Sequence, residues 1–291
     1  MEAVTSTDPS MPSRHPAWIR VRLPGGPVYS HLKEKLDQLG LKTVCRQALC
    51  PNLSECWGQG TATFLALGDM CTRHCRFCAV GKGVPQSPDP EEPGQIAQAV
   101  SSLKLRHVVI TSVTRDDLRD GGAAHIASIV GAVRERNTGC TIEVLIPDFK
   151  GNQDDLGIVI SADPEILGHN IETVPRLYPE VRPQASYRQS LELLERVKAR
   201  GLKGKTKSGL MVGFGETQDE ILKVMHDLFL QRVDIFTLGQ YLQPTRTHLP
   251  VVRYYTPDEF TELGTMARRI GFAQVEAGPL VRSSYHAARQ V

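Results

Sequence analysis

The chain has 291 residues, 41% hydrophobic and 23% charged, with 34 basic side chains against 32 acidic ones. That is enough for one large α/β barrel or two ordinary domains. The charge is too balanced to call for a nucleic-acid or membrane-surface partner, and no apolar run reaches bilayer-spanning length. The opening stretch, MEAVTSTDPSMPSRHP, lacks the basic cluster and apolar run of a secretory signal, and Glu2 and Asp8 argue against a transit peptide. Its first dozen or so residues are expected to form a loose tail.

In chain order, residues 1–60 read as an extension carrying Cys45, Cys50 and Cys56 in CRQALCPNLSECW. From residue 61, short β-branched runs alternate with helical patterns: TATFLALG, HVVITSV, CTIEVLIP, ILGHNIET, SGLMVGFG and DIFTLGQY. They end in Gly, Ser, Asn or Pro, as strands covered on both faces do. The helices between them carry their own signals. Ser186 is placed to cap SYRQSLELLERVKAR and Gly201 to close it. Thr217 with Glu220 forms a capping-box pattern, and Thr256, Pro257 and Glu259 start another helix. The polar stretch 151–165, broken by Gly and Pro, reads as a short or irregular helix.

Six strand–helix units in succession predict a parallel sheet with right-handed crossovers. Eight would close a TIM barrel, so the expectation is an α/β fold with a partial (β/α)6 TIM-like barrel over 61–274. A doubly wound sheet stays open from pattern alone. Residues 275–291 read as a carboxyl-terminal extension. In either arrangement the active residues gather at the carboxyl ends of the strands.

Six of the seven cysteines lie between Cys45 and Cys78, which fits thiolates used for metal in a reducing cytoplasm better than a disulfide framework. Cys140, the one left over, heads an apolar run and reads as a small buried hydrophobe. Cys71, Cys75 and Cys78, in CTRHCRFC, follow the first strand directly. Three thiolates hold three corners of a 4Fe–4S cube and leave one iron open. A zinc site recruiting His74 is the alternative, but zinc favours paired C-x2-C knuckles and His74 abuts Cys75.

The CxxxCxΦC spacing, with Phe77 as the aromatic, resembles the radical S-adenosylmethionine superfamily. There the open iron chelates the amino and carboxylate groups of S-adenosylmethionine, which one electron splits to a 5′-deoxyadenosyl radical. By position, Thr111 and Ser112 suit the methionyl end, Asn170 and Glu172 a ribose or ammonium, and Lys207 a carboxylate. Each reads equally well as a turn residue or a satisfied surface polar group.

The resemblance then narrows. CRQALCPNLSECW, GDMCTRHCRFCAV, TSVTRDDLRDGGA, HNIETVPRLY, TKSGLMVGFGET, LGQYLQPTRTHLPV and GPLVRSSYHA run in order over nearly the whole chain. Together they resemble the lipoyl synthase family. The resemblance implies a second, auxiliary 4Fe–4S cluster held by Cys45, Cys50, Cys56 and Ser283, with Ser284 as the rival ligand. It implies insertion of two sulfur atoms, drawn from that cluster, at C6 and C8 of a lysine-bound octanoyl group. Loss of Ser283 and its iron would accompany this, and two S-adenosylmethionines would be used. The implied partners are octanoylated carrier domains (2-oxoacid dehydrogenase E2 subunits and the glycine cleavage H protein) and a ferredoxin or flavodoxin. Glu276 stands where the pattern leads one to expect a smaller or less acidic residue. Arg282 reads as a partner for a surface carboxylate, or as a group that steadies the serine alkoxide as iron departs.

Rival classes fit less well. A methylthiotransferase would carry an appended binding domain, biotin synthase lacks the first triplet and the RSSY end, and an electron carrier closes all four iron corners with cysteine. A zinc-binding interaction module needs neither the barrel nor the polar strand ends.

Overall fold

The computed structural model describes residues 15–21, 23 and 25–290. The loose tail expected over the first dozen residues lies outside them. Seven strands form one all-parallel sheet in sequential order. They are β1 Thr63–Ala66, β2 His107–Ser112, β3 Thr141–Leu145, β4 Ile166–Gly168, β5 Lys205–Val212, β6 Ile235–Gln240 and β7 Gln274–Gly278. β1 and β7 do not pair, so the barrel stays open along one side.

Six of these strands are the expected ones. The seventh, β7, pairs with β6 from Ile235↔Gln274 to Gly239↔Gly278 and lies mostly in what reads as the carboxyl-terminal extension. QVEAG is half-buried at every position, so it lacks the apolar run that marks the others. The free edge of β1 is covered by the preceding extension, through a Thr43↔Phe64 bridge and Leu65 N–H donating to the Lys42 carbonyl at 3.0 Å.

Helices clothe the outer face because each carries an apolar stripe at helical spacing. Ile126, Ile129, Val130 and Val133 are buried on one helix, Ala123–Arg136, and Ile221, Val224, Met225 and Leu228 on another, Gln218–Leu230. The predicted helix ends form. Ser186 accepts from Gln189 N–H, Gly201 has φ 83°, and both Thr217/Glu220 and Thr256/Glu259 close reciprocal capping boxes. Each such cap is worth about 1 kcal/mol. Within 151–165 the short helix that the sequence suggests is present. Gln153–Ser161 is an α-helix capped by the Asn152 side chain, with Leu156 and Val159 buried. Cys140 is half-buried at the edge of the core, its sulfur 3.7 Å from the Thr141 carbonyl.

The lumen is layered by the two-residue alternation of the strands. Lys207, Gly209 and Met211 share one face of β5. The lower layer is ionic: Lys207 Nζ lies 2.8 Å from Glu143 Oε1, with side chains 1% and 2% exposed, and His107 Nε2 is 3.5 Å from Glu143 Oε2. Burial pushes the Glu143 carboxyl up, but Lys207 and His107 outweigh it and hold it below the usual carboxylate range. Above this layer the strand ends open into a cavity.

Candidate active site

The cavity has a volume of about 450 Å³ at the carboxyl ends of the strands. Five of the six triplet cysteines, Cys45, Cys50, Cys71, Cys75 and Cys78, line it together with Ser283 and Ser284; Cys56 does not. Val44, Ala48, Leu49, Val80, Leu145 and Met211 are among the side chains that make much of the remaining wall apolar. All seven cysteines are free thiols.

The second triplet sits on the loop after β1, as its sequence position predicts. Cys71 Sγ accepts from the backbone N–H groups of Arg73, at 3.5 Å, and Thr114, at 3.3 Å. Burial pushes the Cys75 thiol up, with Arg182 pulling back. It takes Cys78 to about 12, helped by the neighbouring thiols. The first triplet spans two short helices, Val44–Gln47, which Thr43 caps, and Leu53–Gly58. Burial raises Cys45 and Cys50, and takes Cys56 to about 12 with Cys45 and Cys50 adding to it. Cys45, Cys50, Cys56, Cys75 and Cys78 therefore keep their protons at neutral pH until iron displaces them.

Among the described residues, no three His, Cys, Asp or Glu side chains converge on a point that would hold one metal ion. That argues against the zinc site with His74, whose ring faces Gln184 instead. Ligands to the separate irons of a cluster stand further apart than ligands to one ion, so sulfurs spread around a cavity wall suit a cluster. Two orphaned polar atoms point the same way. Ser112 Oγ and Asn170 Oδ1 are buried without a hydrogen-bond partner, at a site where a buried polar group is costly unless something binds it. The residues present fit both a cluster and a polar co-substrate.

The other predicted contacts divide. Phe77, Thr111, Ser112, Asn170 and Glu172 all line the cavity. Thr111 Oγ1 is engaged, donating to the Leu145 carbonyl at 2.8 Å. Asn170 donates to Glu172 Oε1 at 3.0 Å, in space kept clear by Gly209, whose added Cβ would lie 2.9 Å from Asn170 Oδ1. Glu172 takes a left-handed φ of 67°, and burial raises its carboxyl pKa while Arg182 and Asn170 pull it down. Lys207 is a correction. It does not line the cavity, and its ammonium is committed to Glu143 one layer below.

Ser283 and Ser284 face the cavity from the arm that follows β7. Asn52, two residues past Cys50, donates to the Leu280 carbonyl at 2.6 Å, and Tyr285 donates to Glu55 at 3.2 Å. These bonds bring the serines beside the first triplet. Glu276 is accounted for by His286, whose Nδ1 lies 3.3 Å from its carboxylate. Arg282 does not reach a surface carboxylate. Burial pulls its guanidinium below the usual range, against Cys50 and Glu172, which raise it.

Three contributors escaped sequence reading. Arg182 is buried beside Cys75 and Glu172 and donates to the carbonyls of Asn170, at 3.1 Å, and Ile171, at 3.2 Å. Burial, with Arg182 beside it, lowers His169 to about 4. Its neutral ring donates to the Ile146 carbonyl at 2.9 Å and accepts from Ser190 at 3.0 Å. His248 donates to the Cys78 carbonyl at 3.0 Å, pinning the loop after β6 to the cysteine loop.

Residues 65–228 match the Radical SAM superfamily. A lipoyl synthase of Rubrobacter xylanophilus is 54% identical over 275 residues, 94% of this chain and 86% of that protein. This chain belongs to the lipoyl synthase family. The lipoyl synthase of Chlorobaculum tepidum is also 54% identical, over 96% of each chain, and that of Coxiella burnetii is 55% identical over 96% of this chain and 89% of its own. The fold matches the FeFe-hydrogenase maturase HydG from Carboxydothermus hydrogenoformans. The TM-score is 0.58 at 14% identity, over 78% of this chain and 65% of that one. It also matches coproporphyrinogen III oxidase from Escherichia coli, with a TM-score of 0.53 over 79% of this chain and 59% of that one. The family accounts for the iron–sulfur and S-adenosylmethionine chemistry the cavity fits. No helix among the described residues is long and apolar enough to cross a membrane.

Proposed function

We infer that this chain inserts two sulfur atoms, at C6 and C8, into an octanoyl group held in amide linkage on a lysine of a carrier domain. One observation carries the reading: Cys45 and Cys50 of the first triplet, all three cysteines of the second and the Ser283–Ser284 pair face a single cavity whose wall is otherwise largely apolar. Unactivated C–H bonds yield to no side-chain acid or base, so the abstraction must come from a cofactor. Cys71, Cys75 and Cys78 would hold a 4Fe–4S cluster that would supply the electron for splitting S-adenosylmethionine, and Cys45, Cys50, Cys56 and Ser283 would hold a second cluster that would supply the sulfur.

The protein's part is placement. Ser112, Asn170, Glu172 and Arg182 grip the polar co-substrate at the strand ends, with Phe77 against it. Leu49, Val80, Leu145 and Met211 take the alkyl chain between the two triplets and keep water from it. A hard serine oxygen is a weaker partner for iron than a thiolate, which suits a corner that must open. Arg282, beside Cys50, is placed to receive the negative charge that develops on the departing serine oxygen. The carriers are octanoylated E2 subunits and the glycine cleavage H protein, and the electron comes from a ferredoxin or flavodoxin in the cytoplasm.

The test is one anaerobic reaction of the reconstituted protein with S-adenosylmethionine, a strong reductant and an octanoyl-lysyl peptide, read by mass spectrometry. A peptide that gains two sulfurs alongside 5′-deoxyadenosine is the expected result. Deoxyadenosine with unmodified peptide would overturn the substrate assignment and leave the radical chemistry standing.

A further inference from the structure

Arg73 lies between the first two cysteines of the second triplet, and its side chain is only 6% exposed. Its guanidinium engages two carboxylates at once, each in a two-pronged pairing. Nε and Nη2 donate to Asp116, at 2.7 and 3.0 Å, and Nη1 and Nη2 donate to Asp148, at 2.8 and 2.6 Å. Asp116 sits on the loop after β2 and Asp148 on the loop after β3. One residue of the cysteine loop therefore ties three strand-end loops together. Fork-to-fork pairing fixes orientation as well as distance, and lysine cannot reproduce it.

The restraint falls on one sulfur. The two backbone N–H groups aimed at Cys71 Sγ belong to Arg73 itself and to Thr114. Thr114 is fastened to the same clamp. Thr72 N–H and Oγ1–H both donate to the Thr114 carbonyl, at 3.1 and 2.9 Å, and Asp116 N–H donates to Thr72 Oγ1 at 3.1 Å. Hydrogen bonds to cluster sulfurs stabilise the reduced, more negative state and so raise the reduction potential.

We propose that Arg73, with Asp116 and Asp148, is a positioning residue that sets the reduction potential at the second triplet by holding two backbone N–H groups on Cys71 Sγ. The proposal rests on the second triplet carrying a cluster, as argued above. It asks nothing of the sulfur-insertion assignment.

The experiment uses the full chain with Cys45, Cys50 and Cys56 all changed to Ala, so that only the second triplet can take up iron. Arg73→Lys, which keeps the charge and loses the fork, and Asp116→Asn, at a position whose side chain is 21% exposed, are added separately. Iron and sulfide content are measured first, then the midpoint potential by an electron-paramagnetic-resonance titration. Arg73→Lys is expected to keep its iron and become harder to reduce, by about tenfold in the reduction equilibrium, or 59 mV for one electron. Asp116→Asn shifts the same way by less. Parent-like potentials in both variants would overturn the proposal. If Arg73→Lys loses its iron, Asp116→Asn decides, and an unchanged potential there has the same force. A parent chain with no cluster would sink the assignment of the triplet itself, a failure visible before either clamp variant is made.

Discussion

Lys207 and Glu143 offer the most direct quantitative check on how the barrel is built. Lys207→Met removes the cation from a pair at 2.8 Å whose side chains are 1% and 2% exposed, leaving only His107, at 3.5 Å, beside the carboxylate. Orphaning one partner of a buried pair costs about 3–5 kcal/mol, whereas replacing both by apolar groups is close to neutral. The single variant of the cluster-free protein should lose that much in urea unfolding, and the double variant, Lys207→Met with Glu143→Met, should recover most of it. With a slope near 3 kcal/mol/M, the single change lowers the midpoint by roughly 1–1.7 M. The pH dependence carries a sign. In the parent, Lys207 and His107 hold the Glu143 carboxyl below its usual range, so its contribution is lost only as pH falls through that low folded value. Without Lys207, burial raises the carboxyl, and the folded variant binds a proton that the unfolded chain releases. The deficit therefore narrows as pH falls from 8 towards 5. Because Lys207 does not line the cavity, the double variant should bind S-adenosylmethionine within about twofold of the parent. A single variant within about 1 kcal/mol of the parent, or a deficit that widens in acid, would refute the argument.

Four further outcomes are expected. Changing Cys45, Cys50 and Cys56 to Ala should leave deoxyadenosine formation and abolish sulfur insertion, whereas changing Cys71, Cys75 and Cys78 should abolish both; chromatography of the nucleoside beside mass spectrometry of the peptide separates the cases. Ser283→Ala should load a cluster only in part and yield little or no product, and normal turnover would transfer the ligand role to Ser284 or end it. Gly239→Ala drives a Cβ into the Val281 carbonyl, so the serine arm must shift: Mössbauer spectra should change at the first-triplet cluster while deoxyadenosine formation persists. Finally, the raised Glu172 carboxyl loses its charge at a higher pH than a free glutamate. Calorimetric affinity for S-adenosylmethionine should weaken as pH falls through that value, and Glu172→Gln should flatten the profile.

The six expected strands were readable because each is a β-branched run bounded by turn residues, and strand ends are where a parallel sheet collects its polar groups. That logic placed Thr111, Ser112, Asn170 and Glu172 at the cavity. It misled for Lys207 because a side chain on the lumen face has two destinations, the mouth or the floor. Only the register with Gly168 and Ile235 assigns it to the floor. β7 was hidden by its half-buried composition, whereas the short helix over Gln153–Ser161 was legible and only its regularity was masked, by polar residues that prove to be its cap and first turn. Arg182 and Arg73 gave no periodic signal at all. An arginine in a loop reads as solvated until the chain folds three loops around it.

The serine arm has a consequence for the order in which the protein matures. Its anchors join residues 228 and 230 positions apart, Asn52 to Leu280 and Glu55 to Tyr285. The second triplet has its clamp complete once Asp148 has left the ribosome, and Arg182 and His248, the last of its neighbours described above, still precede the arm. The first triplet waits for nearly the whole of translation before Ser283 and Ser284, the serines proposed as its partners, exist. A chain truncated before Leu280 would therefore be able to spend S-adenosylmethionine with no sulfur in position to receive the product radical. Late delivery of the arm makes competence for the second half of the chemistry conditional on finished synthesis.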